Sequence, residues 1–239
     1  MSPHREMVSL FGLAEPLSCL THLAIGLTLA ALSPALVRRG RGGAQRAALA
    51  AYAMAVVAMF LVSGSYHALP ASHPARDVLW HLDHASIWLG LAATFSAVRV
   101  VFVPGPALAT VAGLWGIAVA GVAAEMVAMR DMALWISPAL YILMGWCGLP
   151  TVLRAGRAHG AHVSGPLLAA GVVVTFGGFM DVFQAPRLLA GVVEAHELLH
   201  LTTLVGGVVY FRGLWLGAGL PALVAAPAPG PVQVAPSAA

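Results

Sequence analysis

The chain contains no lysine: its twelve basic residues are all arginines, set against nine carboxylates in 239 residues. Only 9% of residues are charged and 60% are hydrophobic, with a mean hydropathy of +0.88. A soluble domain carries about a quarter charged residues to cover its surface. The shortage excludes a water-exposed globule and implies a surface that faces lipid. It also excludes a nucleic-acid face, because the formal charge of +3 rests on scattered loop arginines rather than on one basic stripe. Cysteine is nearly absent. Cys19 and Cys147 lie far apart inside apolar runs, fit no metal spacing, and read as buried free thiols.

Long apolar runs, in contrast, are plentiful. Crossing about 30 Å of hydrocarbon takes about 20 apolar residues of helix. Seven such windows occur, at 17–37, 47–68, 81–102, 107–127, 133–153, 165–184 and 197–217, separated by Pro, Gly or Arg punctuation. The first window is followed by no small-residue cleavage site, so it reads as a spanning helix and not as a removed signal. These features predict an all-α membrane protein, a seven-transmembrane-helix bundle. Residues 1–16 form an N-terminal segment, 17–217 the membrane domain, and 218–239 a Pro/Ala-rich tail expected to be disordered.

The loops are short, so consecutive spans alternate in direction. If the N-terminal side is side A, then helices 1, 3 and 7 start there and helices 2 and 6 end there. Ionisable residues inside spans are expensive and mark function by default, and here they gather at one depth. Glu15, Ser18 and His22 begin helix 1, Ser63 and His67 end helix 2, Asp83 begins helix 3, and His196 and His200 begin helix 7. All of them fall toward side A.

The spacing within each group is helical. His196 and His200 are one i,i+4 step apart, as are Ser63 and His67, so each pair shares a helix face. Two imidazoles from helix 7 and one from helix 2 make a three-histidine set for Zn²⁺, leaving a fourth tetrahedral position for water, as in catalytic zinc sites. The alternative is a set of interhelical hydrogen bonds without metal. Asp83 is placed to act as general base or acid and Ser63 to donate to a developing oxyanion. Alternatively, Asp83 caps helix 3 and Ser63 bonds back to its own helix. Glu15, Ser18 and His22 are expected to form a second layer around the ligands or to line the cavity. Asp181, at the end of helix 6, falls toward side A and either joins the cluster or stands as a loop-edge carboxylate. His81 and His84, flanking Asp83, read as interfacial, and His4, His73, His159 and His162 as loop residues. His196-Glu197-Leu198-Leu199-His200 also matches the H-E-x-x-H signature of zinc metalloproteases, but on an apolar helix with no third ligand following. Glu197 reads there as an interface residue beside Glu194.

The ordered pieces Glu15-x-x-Ser18-x-x-Thr21-His22, Ser63-x-x-Tyr66-His67, Leu82-Asp83-His84-Ala85-Ser86-Ile87, Leu140-Tyr141-Ile142-Leu143-Met144-Gly145-Trp146 and His196-Glu197-Leu198-Leu199-His200 resemble the haemolysin III group. That group sits with the progestin and adiponectin receptors and, more distantly, the alkaline ceramidases. The resemblance implies a seven-helix bundle with zinc on His67, His196 and His200, with Ser63 and Asp83 at the family's serine and aspartate positions. It implies a multi-pass protein of a bacterial inner (cell) membrane with membrane lipids as partners. The implied activity is zinc-dependent hydrolysis of lipid amides or a role in lipid homeostasis, the alternative being a non-enzymatic fluidity regulator or pore-forming haemolysin with structural zinc. An intramembrane metalloprotease is a third reading. The sequence departs from the family at Leu23, where glycine is usual, and at Ala93-Thr94-Phe95-Ser96-Ala97, where a small-Gly-Thr-Tyr-Thr-Pro run is usual. Arginines 38, 39, 41, 46, 99, 154, 157 and 212 fall on side B against 5, 76, 130 and 187 on side A. Positive-inside counting makes side B cytoplasmic, whereas the related receptors carry the N-terminus and zinc on the cytoplasmic side.

Overall fold

A computed structural model of the protein describes residues 8–128, 132–133 and 135–220. His4, Arg5, Arg130 and Asp131, and the tail from 221 onward, lie outside the described residues. The fold is all-α: α1 (Pro16–Arg39), α2 (Gly42–Ala68), α3 (Arg76–Phe102), α4 (Leu108–Ala128), α5 (Ile136–Cys147), α6 (Leu149–His159), α7 (Ala161–Phe183) and α8 (Ala195–Ala218). Helices α5 and α6 together form one span, so among the described residues seven spans are long and apolar enough to cross a bilayer.

Two helices run past the windows expected from hydropathy alone. α3 begins at Arg76, with Asp77 in its first turn, where a carboxylate complements the helix dipole. Asp83 is therefore two turns inside the helix, and the alternative reading of it as the cap of α3 does not hold. The fifth span continues to His159 because α6 is amphipathic. Its arginines, Arg154 and Arg157, reach out from an otherwise packed helix end. His159 is thus helical, with its Nε2 at 2.9 Å from the Phe102 carbonyl, and His162 lies in the first turn of α7. Neither is a loop residue.

The joint between α5 and α6 follows from two residues. Pro150 has no amide hydrogen and its ring clashes with the carbonyl four residues back, on Trp146. At Gly148 a side chain is not accommodated: a Cβ there would sit 2.2 Å from the Phe95 ring. Gly64 plays the same part between α1 and α2, where a Cβ would lie 2.7 Å from Leu23 Cγ and 3.0 Å from the Leu23 amide nitrogen. Small residues of this kind let membrane helices approach at backbone distance. Both departures from the family's usual sequence, Leu23 and Phe95, are therefore seated on glycines.

α3 is the most enclosed span, and it touches α2, α4, α5, α6 and α8. α1 packs on α2 and on α8, so the first and last spans are neighbours. Outward-facing Leu27, Met54, Val119, Leu143 and Phe176 give the bundle its apolar perimeter. Cys19 is buried as expected, but Cys147 is exposed. One helical turn after Leu143, it shares that residue's outer face.

Candidate metal centre

His67, on the last turn of α2, and His196 and His200, on the first turns of α8, bring one ligand nitrogen each to within 4.8 Å of one another. His196 and His200 stand one turn apart on the same face, and their Nε2 atoms are 3.0 Å apart. The His67 ring packs edge-on to His200 at 4.5 Å and tilted to His196 at 5.3 Å between centroids.

The outer nitrogen of each ring is engaged. His67 Nδ1 lies 2.6 Å from Glu15 Oε2, His196 Nδ1 3.0 Å from Asp181 Oδ1, and His200 Nδ1 2.9 Å from His22 Nε2. A carboxylate can only accept, so the Nδ1 hydrogens of His67 and His196 are donated outward, and their Nε2 atoms carry lone pairs. His200 completes the pattern when it donates to His22. For His67 and His196 the tautomer follows from these bonds, and for His200 it is the tautomer that leaves all three Nε2 atoms open to one ion. Three acceptor nitrogens then converge: His67 Nε2 is buried with no hydrogen-bond partner among the described residues, and the other two face each other at contact distance. Neutral imidazoles so arranged repel unless a cation lies between them. Backing each ring nitrogen with a carboxylate or another acceptor is how proteins orient metal-ligating histidines. The donor set therefore fits a metal ion.

Glu15 is anchored in turn. It occupies the N-cap of α1 and its Oε1 accepts from Arg76 Nη2 at 2.6 Å. Arg76 stacks over Tyr66 at 4.5 Å and donates to the Leu69 carbonyl. Burial pushes the Glu15 carboxyl up, but the hydrogen bond from His67 and, beyond it, the Arg76 guanidinium outweigh burial and hold the group below the usual carboxylate range. It is a carboxylate at any working pH.

Residues 13–211 match the family described as Haemolysin-III related. The chain belongs to that family. Hemolysin-3 of Bacillus cereus is 25% identical over 203 residues, covering 82% of this chain and 88% of that one. Together with the seven apolar spans, this makes the chain a multi-pass integral membrane protein of the haemolysin III family, and the match covers every residue of the histidine cluster.

The other candidates of this haemolysin III family member divide into two groups. Asp83, 8% exposed, places Oδ2 4.0 Å from His67 Nε2. Ser63 is buried one turn before His67, and both residues line a cavity of about 1020 Å³ that also reaches His196 and His200. Glu15, His22 and Asp181 surround the ligands and line the same cavity. Ser18 does not line it. Its hydroxyl lies 3.5 Å from Glu197 Oε1, tying α1 to α8. Glu197 is not an interface residue: it is 1% exposed, because its other oxygen accepts the Glu194 amide hydrogen at 3.0 Å in a capping box. His84 lines the cavity, while His81 bonds the Asp77 carbonyl at the exposed start of α3.

Two functional positions have no counterpart among the sequence expectations. Arg76 was counted only as a loop charge. Glu125 on α4 is 1% exposed and accepts a hydrogen bond from Tyr141 at 2.9 Å. A lone carboxyl in an otherwise apolar 21-residue helix is the signal that could have found it.

The outer hydrogen bonds give a testable expectation. Glu15→Gln and Asp181→Asn keep the shape but replace a charged acceptor with a neutral one. Each is expected to weaken metal binding by about 10- to 100-fold, measured by competition with a chromophoric chelator. Unchanged affinity in both variants rules out the proposed orienting role.

Proposed function

We propose that the protein is a zinc-dependent intramembrane hydrolase whose substrate is a lipid amide. The observation that carries the reading is the convergence of three imidazole nitrogens beside the Asp83 carboxylate at one end of a large, mainly apolar cavity. The cavity runs from His67 to Tyr52, which precedes it by four turns of α2, about 22 Å along the axis. That is room for a long acyl chain with its polar end at the histidines.

His67, His196 and His200 would hold the zinc. Bound there, the ion supplies a Lewis acid and makes water acidic enough to react near neutral pH. The remaining work falls to side chains. Asp83 takes a proton from the attacking water and passes it to the leaving nitrogen, and Ser63 donates a hydrogen bond to the acyl oxygen as charge develops there. The water oxygen bonds to the acyl carbon, the C–N bond breaks, and both water protons finish on the amine, leaving a carboxylate. Glu15, Asp181 and His22 keep the three imidazoles oriented.

A second reading draws on the same carboxylate. Asp83 Oδ2, at 4.0 Å from His67 Nε2, is close enough to complete a closed four-ligand site, the pattern of structural zinc. The protein would then be a fluidity regulator or pore-former without catalysis. The metalloprotease reading has less support, since Glu197, the base it requires, is held in the capping box.

The test is metal removal and return. Purified protein in detergent should contain about one zinc per chain and release fatty acid from a synthetic N-acyl lipid. Chelation should abolish the release, and stoichiometric zinc should restore it. Zinc-replete protein inert on a panel of N-acyl lipids favours the structural reading.

A further inference from the structure

Glu125 takes no part in the chemistry above, yet it is a carboxyl sealed inside a membrane span. Carboxyls there face the bundle interior and require partners. Its Oε1 accepts from the Tyr141 hydroxyl at 2.9 Å, while Oε2 is buried with no hydrogen-bond partner among the described residues. If the pair served only to join α4 to α5, an amide or hydroxyl would do so at lower cost of burial.

The consequence lies in what the bond does to Tyr141. A phenol has one proton. The Tyr141 oxygen is also 3.4 Å from the His84 carbonyl, but the shorter bond to Glu125 claims the hydrogen. Tyr141 lines the cavity, and Glu125 stands behind it, outside the lining. The ring is held by the edge of Trp88, with centroids 5.5 Å apart. The phenol oxygen is thus fixed with its proton directed away from the cavity, leaving lone pairs toward the lumen. The neighbouring Asp83 carboxylate and His84 carbonyl are acceptors as well.

We propose that Tyr141 is a specificity-determining contact, held as a hydrogen-bond acceptor by Glu125, that selects lipid ligands bearing an N–H or O–H donor near the polar end. Glu125 is a positioning residue acting through Tyr141. The inference rests on the reading of the cavity as a lipid site. It narrows that reading to amides and alcohols, and works against esters and ethers of the same chain.

The probes are oleyl alcohol and methyl oleyl ether, which share a chain and differ in the donor. Neither has an acyl bond to cleave, so binding to the metal-loaded protein is measured apart from hydrolysis, by quenching of tryptophan fluorescence. The wild type is expected to bind the alcohol about tenfold more tightly. Tyr141→Phe should bring the two within about twofold without weakening the ether. Glu125→Gln, which still offers an oxygen to the phenol, should keep the wild-type preference. Glu125→Leu takes away the phenol's 2.9 Å acceptor and leaves its proton to the His84 carbonyl at 3.4 Å or to a ligand, so the preference for the alcohol should shrink. This variant removes a buried carboxyl from a span, so insertion is not its weak point. Equal binding of both probes by the wild type, or an undiminished preference in Tyr141→Phe, overturns the proposal. An undiminished preference in Glu125→Leu removes Glu125 from it. A preference that persists in a protein without hydrolytic activity sinks the enzymatic reading and leaves this one standing.

Discussion

Replacing His200 by alanine is expected to reduce the metal content of the purified protein from about one equivalent to background. The three-nitrogen set tolerates no loss. Two imidazoles remaining from different helices give a site with half of a tetrahedron open, and His196 loses the neighbour whose Nε2 lies 3.0 Å from its own. Alanine is the best helix former, so α8 should keep its helicity, and an unchanged far-ultraviolet circular dichroism spectrum separates loss of metal from loss of fold. His67→Ala should behave alike, because His67 Nε2 has no hydrogen-bond partner among the described residues. His81→Ala is the control: its ring is bonded to its own helix and should leave metal content intact. Retention of stoichiometric metal by His200→Ala would falsify the three-histidine site.

The second large effect is kinetic. Asp83→Asn is expected to lower hydrolysis of the N-acyl probe by about 10²- to 10⁴-fold, the usual contribution of a positioned acid or base, while the protein keeps its metal. The split between the two readouts is what matters. Asparagine matches aspartate in shape and removes only the charge and proton affinity, so lost turnover with retained metal assigns Asp83 to proton transfer. If metal content falls in step with activity, Asp83 is a fourth ligand and the structural reading gains.

How much of this could be read from the sequence differs by residue. The depth of the cluster was legible, because alternating spans of known length place His22, His67, Asp83 and His200 on one side of the membrane. The pairing of His196 with His200 followed from helical spacing. What alternation cannot provide is azimuth, the direction in which a side chain leaves its helix. Ser18 and His22, one turn apart on one face of α1, both meet α8, at Glu197 and His200, and nothing in their spacing says which helix that face addresses. Asp181 was correctly placed in depth, but its bond to His196 depends on how α7 packs on α8. The fifth span came out short because its last turns carry arginines, which an apolar window rejects although a helix does not. Glu125 was lost for the opposite reason: an apolar window absorbs a single carboxyl without changing its mean.

The order in which the centre's parts occur along the chain has a consequence for biosynthesis. A growing polypeptide that has delivered its first six spans to the bilayer owns only one of the three imidazoles, His67, already bonded to Glu15. The other two arrive with α8, the seventh span. On the three-histidine reading, the site cannot take up a metal ion until α8 lies beside α1 and α2, so that uptake of the ion would report the seating of the seventh span.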